Sequence, residues 1–315
     1  DGIVEAGLHE RQDTESPAPP QPRAAPPRLT LARASPYTRG TSMHLAWFLP
    51  IGIFVGTYGT LIGAGGGFIL VPLLLILFPD ESPALVTATS LAVVFVNSVS
   101  GSIAYARARR IGWKTGLLFA LATVPGAIAG SYLVKYIPRD AFAVGFGCLL
   151  LLLAAYLLAR GGRKPAACTA ASAPAVEPVD AVTDATGTTY PLCYNLPLGL
   201  GLSLLIGLFS SVAGIGGGVI HVPVMTSLLG FPVHVATATS QFILIFTSFA
   251  GIVAHLADGT FTTELPRLAV LATGVVVGAQ VGARLARRIA GPWIVRALAL
   301  ALLLAGGRLL WGAIF

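Results

Sequence analysis

Apolar residues fall along this chain in long unbroken blocks rather than at the spacing of an amphipathic helix or strand. Apolar runs cover residues 86–105, 115–134, 141–158, 236–256 and 293–311, each near the roughly 20 residues that cross a hydrocarbon core about 30 Å thick. A soluble core helix rarely stays apolar on every face for that length. With the shorter runs included, ten segments emerge. Five lie at about 45–62, 67–78, 84–106, 115–135 and 141–159, and five at about 197–213, 218–229, 235–256, 266–286 and 293–313. The second segment of each set is too short to span comfortably and follows a glycine cluster. Segments one and two of each set are therefore expected to form a broken or re-entrant hairpin. The fold class this predicts is an all-α polytopic membrane protein.

The two sets of five are related. Gly63-Ala-Gly-Gly-Gly-Phe-Ile-Leu-Val-Pro72 aligns with Gly214-Ile-Gly-Gly-Gly-Val-Ile-His-Val-Pro223, seven of ten positions being identical. Further on, Thr87-Ala-Thr-Ser90 matches Thr237-Ala-Thr-Ser240, and Gly126/Gly130 match Gly278/Gly282. Matched landmarks in one order mark a duplicated unit. A hairpin plus three single segments makes an odd number of crossings, so the halves should run in opposite senses as an inverted repeat. Loop charges orient it. Arg107, Arg109, Arg110, Lys114, Arg160, Arg163, Lys164, Arg284, Arg287, Arg288 and Arg296 fall on one side, against Lys135, Arg139, Arg267 and Arg308 on the other. Positive charge collects on the cytoplasmic side, which places the central linker inside and both ends of the repeat pair outside.

Composition supports this frame. The chain is 55% hydrophobic and only 10% charged, with a mean hydropathy of +0.81; a soluble domain is about a quarter charged. The net charge of +7 does not imply nucleic acid, because the basic residues sit in short loops between apolar runs. Residues 1–42 are proline-rich and polar and cannot bury a core. They are expected to be a disordered or non-native extension, with Met43 as the working start. Residues 43–160 form the first membrane repeat, 161–195 a flexible cytoplasmic linker rich in Ala, Pro and Thr, and 196–315 the second repeat. The cysteines, Cys148, Cys168 and Cys193, show no metal spacing and no even-numbered framework. Cys148 is expected to pack as a small hydrophobe.

Candidate chemistry lies at the landmarks. Gly63, Gly65, Gly66, Gly67, Gly214, Gly216, Gly217 and Gly218 are poor helix-interior residues. Non-helical backbone survives in a membrane only if it is buried in protein or lines a cavity. A glycine break before a short helix presents unpaired N–H groups at the positive end of that helix, a setting suited to an anion. The alternative is close helix packing. Thr87, Thr89, Ser90, Thr237, Thr239 and Ser240 can coordinate an oxyanion, or cap the helix and bond back to its carbonyls. Asn97 and Gln241 are rare amides in apolar runs, open to a substrate or a helix-packing role. His221 stands where the first half has Leu70, as a donor to substrate, a proton carrier or a packing residue. No carboxylate lies well inside a predicted span, which disfavours carboxylate relays and cation-selecting rings. Nucleophile, zinc-protease and Walker motifs are missing, so neither an enzyme nor a cofactor or metal is expected. Gly126/Gly130 and Gly278/Gly282 are small-xxx-small faces that let helices of the two halves approach.

The duplicated G-x-G-G-G-x-x-x-V-P with its downstream Thr-Ala-Thr-Ser resembles the sulfite exporter TauE/SafE family of membrane permeases. The resemblance covers roughly 45–160 and 195–313. It implies a multi-pass protein of the bacterial inner membrane that moves sulfur-containing anions such as sulfite, sulfoacetate and related organosulfonates. The glycines at 63–67 and 214–218 and the Thr/Ser positions at 87–90 and 237–240 would carry that role. The expectation is a secondary transporter working by alternating access, one half rocking against the other. A membrane scaffold or accessory subunit and a passive anion channel are the alternatives. The partners expected are a small anion and the lipid bilayer; a homodimer is compatible, and the coupling ion is open.

Overall fold

The computed structural model describes residues 41–160, 179–185, 187–259 and 265–314. Apart from Thr41 and Ser42, the N-terminal extension lies outside the described residues, as do residues 161–178 of the linker.

Ten helices follow in order: α1 (Thr41–Ile62), α2 (Gly67–Leu77), α3 (Pro83–Arg107), α4 (Trp113–Leu133), α5 (Arg139–Arg160), α6 (Leu196–Val212), α7 (Gly218–Ser227), α8 (Val233–Ala257), α9 (Leu265–Leu285) and α10 (Gly291–Ile314). Each expected segment is present. Within α3, α4, α5, α8, α9 and α10 lie six stretches long and apolar enough to cross a membrane, whereas α2 and α7 are short apolar helices. Large apolar side chains such as Leu121, Leu152, Phe249 and Leu304 are exposed on the outer faces, as lipid requires. The exposed thiol of Cys148 on α5 belongs to this outer surface rather than to the interior. Cys193 is disulfide-bonded, which its spacing did not foretell.

The tight packing runs between the halves. A Cβ on Gly126 or Gly130 of α4 would lie 2.1 or 2.3 Å from the Leu204 or Leu208 carbonyl oxygen of α6. A Cβ on Gly278 or Gly282 of α9 would lie 2.3 or 2.2 Å from the Ile53 or Thr57 carbonyl oxygen of α1. Both small-xxx-small faces thus bring backbones of opposite halves together. Contacts also join α3 to α9, α4 to α8 and α5 to α10. Two groups result, α1–α3 with α9 and α6–α8 with α4, so each group borrows its fourth helix from the other half. They meet along α3 and α8, which cross antiparallel: Leu91 lies against Gly251, and Gln241 against Gly101.

The described part of the linker is not a loose loop. β1 (Asp180–Thr183) and β2 (Thr189–Leu192) form an antiparallel hairpin with Ala181 opposite Pro191. Its Val182 and Leu192, with Tyr194, join Phe119, Met225 and Phe231 in a buried cluster. Asp180 Oδ2 accepts from the Thr115 N–H (3.1 Å) and Oγ1 (3.0 Å). It supplies the cap that Gly112 cannot give the start of α4. Tyr194 donates to Thr115 Oγ1 (2.9 Å). Apolar burial and a borrowed cap therefore fix a segment that composition alone marked as flexible.

Candidate functional site

Between α1 and α2, Gly63, Gly65 and Gly66 take φ of 81°, 73° and 86°; between α6 and α7, Gly214, Gly216 and Gly217 take 69°, 73° and 105°. Only glycine holds this left-handed backbone without strain. Gly66 and Gly217 are the N-caps of α2 and α7, and neither has a side chain to close the helix start. The N–H groups of Gly67 and Phe68, and of Gly218 and Val219, have no acceptor among the described residues, and all four residues are buried. Buried backbone donors without partners are rare, and here they recur at equivalent places in both halves.

The two breaks touch. A Cβ on Gly67 would lie 2.8 Å from Ile215 Cα, and one on Gly218 only 2.5 Å from the Gly63 carbonyl oxygen. Close packing, the structural alternative, therefore accounts for Gly67 and Gly218 having no side chain. Gly65 and Gly216 instead face Val94 of α3 and Leu244 of α8: their Cβ positions fall within 2.8–3.1 Å of methyl groups on these two residues. Those methyls fill the space beside both breaks.

The Thr/Ser motifs act largely on backbone. Ser90 Oγ donates to the Gly214 carbonyl (2.7 Å), and Ser240 Oγ to the Gly63 carbonyl (2.9 Å), so each half pins the other's break. Thr87 and Thr237 donate back into their own helices, to Ala84 and His234 (3.0 Å each). Thr239 Oγ1 accepts from the Gly112 N–H (3.0 Å). Thr89 is buried, and its hydroxyl has no partner. Four of the six hydroxyls thus bond to a backbone carbonyl, Thr239 is held by the loop before α4, and Thr89 alone is free.

The amides are less occupied. Asn97 Oδ1 accepts from Thr60 Oγ1 (3.1 Å), but Asn97 Nδ2 has no partner. Gln241 Nε2 reaches the Gly59 carbonyl at 3.4 Å, leaving Oε1 free. Next to Asn97, Ser98 Oγ is buried, unpaired and 3.6 Å from the Cβ position of Gly65. In the second half, His221 Nδ1 lies 3.2 Å from the Gly217 carbonyl. A carbonyl only accepts, so Nδ1 carries the proton and neutral His221 keeps a lone pair on Nε2, which is buried and unpaired. A Cβ on Gly217 would sit 3.1 Å from that ring and 3.2 Å from Ser210 Oγ.

Sequence reasoning missed Ser98, Thr60 and the pair Val94 and Leu244. Ser98 sits beside Asn97 in a run of small residues, and the helical position that turns it toward Gly65 was its only signal. Val94 and Leu244 align between the halves but look like ordinary apolar helix residues. Among the described residues, no carboxylate lies deeper in a membrane-capable helix than Asp140, the second residue of α5. A cavity of about 570 Å³ lies between the end of α1 and the turn from α9 to α10, lined by Leu61, Arg288, Ile289 and Trp293 among others. It does not include the glycine breaks.

Over residues 48–309 the chain matches the family described as Sulfite exporter TauE/SafE. It is 32% identical over 279 residues to the probable membrane transporter protein YunE of Bacillus subtilis, covering 87% of this chain and all of that protein. It is 25% identical over 253 residues to a probable membrane transporter protein of Methanocaldococcus jannaschii, covering 76% of this chain and 85% of the other. A probable membrane transporter protein of a Sinorhizobium species is 28% identical over 245 residues, with 78% and 84% covered. No solved structure matches the chain.

Proposed function

Since this multi-pass membrane protein belongs to the sulfite exporter TauE/SafE family, we propose that it is a secondary transporter carrying a small sulfur-containing oxyanion or organosulfonate across a bacterial inner membrane. The observation that carries this reading is the excess of unpaired donors between the two breaks. Four backbone N–H groups, Asn97 Nδ2 and the Ser98 hydroxyl are buried without acceptors. An oxyanion offers several acceptors at once, and two helix starts add favourable dipoles. A cation would find Gln241 Oε1, the His221 lone pair and the Ser98 hydroxyl oxygen as side-chain acceptors, with no carboxylate beside them. His221 Nε2 can take a proton and become a second donor, coupling proton and anion in one step.

In this reading Ser90 and Ser240 position the breaks rather than touch the substrate. Val94 and Leu244 seal the site and must part for access. The antiparallel crossing of α3 and α8 supports the inverted repeat, but the exchange of α4 and α9 argues against rocking of whole sequence halves. The moving bodies are instead α1–α3 with α9 and α6–α8 with α4. The glycine contacts within each body survive such a motion, whereas the α3–α8 seam shifts. Counterflow in proteoliposomes tests the carrier. Internal unlabelled sulfite should accelerate uptake of labelled sulfite, with thiosulfate, sulfate and sulfoacetate as competitors. Flux without such acceleration would indicate a channel, and no flux of any anion would remove the transport reading.

A further inference from the structure

A second buried, unpaired donor lies outside the glycine breaks, where the end of α3 meets the start of α8. Helix α3 closes with Arg109 in the left-handed region (φ 52°), uncommon outside glycine. That turn folds Arg110 back, its N–H reaching the Tyr105 carbonyl at 3.3 Å. Arg110 is half-buried, and its Nη1 is shielded from solvent with no partner. The guanidinium lies within electrostatic reach of His234 and Tyr105, and His234 Nδ1 is likewise buried and unpaired. Farther out, exposed Arg287 places Nη2 3.5 Å from the Ala104 carbonyl.

Among the described residues, neither Arg110 nor Arg287 is in an ion pair; the pairs are Lys135–Asp258 and Arg267–Glu81. Asp180 is engaged with Thr115, and Asp184 accepts from the Thr188 N–H. The cluster also leads inward. Tyr105 OH donates to the Thr60 carbonyl (2.8 Å), which also accepts from the Gly63 N–H (3.1 Å). Thr237, one turn beyond His234, packs against Gly63. Arg287, Arg110, His234, Tyr105 and Gly63 thus form a graded series from the surface to the first break. A desolvated guanidinium edge without a carboxylate costs free energy unless an anion completes it.

We propose that Arg110, backed by His234 and Tyr105 and fronted by Arg287, forms a separate receiving site for a small oxyanion on its way to the glycine breaks. The inference rests on the anion-transport reading and adds to it a second binding step. Occupancy here raises the local anion concentration at the mouth and compensates the Arg110 charge in each cycle. The exposed end of such a cluster also suits a phospholipid headgroup, which carries the same oxyanion chemistry.

The test is binding of radiolabelled sulfate to purified full chain in zwitterionic-lipid nanodiscs, comparing wild type with Arg110→Gln, Arg110→Lys and Arg107→Gln. Arg107 is exposed on the last turn of α3 and serves as the control for general surface charge. Loss of one charge-assisted contact should weaken binding about 10-fold to 100-fold in Arg110→Gln. Arg110→Lys should fall between, and Arg107→Gln should match wild type. Retention of wild-type affinity by Arg110→Gln would overturn the receiving site and leave the central-site reading untouched. If Arg110→Gln does not fold, wild-type affinity in a folded Arg110→Lys would overturn the receiving site equally, because a lysine cannot reproduce the guanidinium fork. Wild type that bound none of sulfate, sulfite or thiosulfate would sink the transport reading and the receiving site together. Loss of sulfate binding when phosphatidylglycerol replaces part of the lipid would assign the cluster to headgroups and overturn the substrate role.

Discussion

Ser90 and Ser240 separate two roles that a polar motif in a membrane helix can play. Each hydroxyl is fully buried and donates to a carbonyl of the opposite glycine break, at 2.7 and 2.9 Å. Replacing Ser90 with Ala removes the hydroxyl and leaves the Gly214 carbonyl bare in a segment that has no helical partner to take over. An orphaned buried acceptor costs about 1–3 kcal/mol. Side-chain hydrogen bonds within membranes have averaged only about 0.6 kcal/mol, with a maximum near 1.7, so about 1–2 kcal/mol is expected for each serine. For a chain of this size that lowers Tm by about 1.5–3 °C, measured by thermal unfolding of purified protein in detergent. Both pins hold the same contact between breaks, so the double variant should lose less than the sum, with a coupling of at least about 0.5 kcal/mol. Substrate KM in proteoliposomes should stay within about twofold of wild type, since a contact made equally with and without substrate does not change affinity. A tenfold rise in KM with unchanged Tm would refute the pinning role and return the hydroxyls to the substrate.

Three further outcomes follow from the packing. Gly126→Ala places a methyl 2.1 Å from the Leu204 oxygen, where a normal carbon–oxygen contact needs about 3.3 Å. The α4–α6 pair must then part by about 1 Å, so folded yield by size-exclusion chromatography should collapse. Gly145→Ala, with nothing within 4 Å, should be tolerated. Asp180→Ala removes the cap of α4 at a cost of about 0.5–2 kcal/mol, and limited proteolysis should then cut the hairpin faster; an unchanged cleavage rate would contradict the docking. The Tyr194 phenol is raised above its usual range, first by burial and also by Asp180, against the lowering effect of its bond to Thr115. The stability it lends is therefore complete below the ordinary tyrosine pKa of about 10 and is lost as pH rises through the higher folded value. Absorbance titration should show a late-titrating tyrosine that disappears in Tyr194→Phe.

The segment pattern was almost wholly legible. Ten apolar runs became ten helices with ends shifted by a few residues, because a run that is apolar on all faces has few alternatives in lipid. The glycine breaks were legible for the same reason, since Gly63–Gly67 and Gly214–Gly218 can hardly continue a helix. The small-xxx-small faces showed that helices of the two halves approach, but not which helix or carbonyl each glycine meets. Ser90 and Ser240 read as oxyanion ligands or as caps of their own helices, whereas in the structure each donates to a carbonyl of the opposite break. The exchange of α4 and α9 between groups depends on Gly126, Gly130, Gly278 and Gly282 meeting specific carbonyls, which composition cannot specify. Composition marked the linker as flexible because its order comes from tertiary contacts: Val182 and Leu192 are buried only against Phe119, Met225 and Phe231.

The most direct test of the donor-lined site is calorimetric titration of sulfite into purified wild type and a folded Asn97→Leu variant. Asn97 Nδ2 is one of the buried unpaired donors, and the account predicts saturable binding to wild type that weakens at least about tenfold in the variant. Equal affinity for the two proteins would contradict an anion held by these donors.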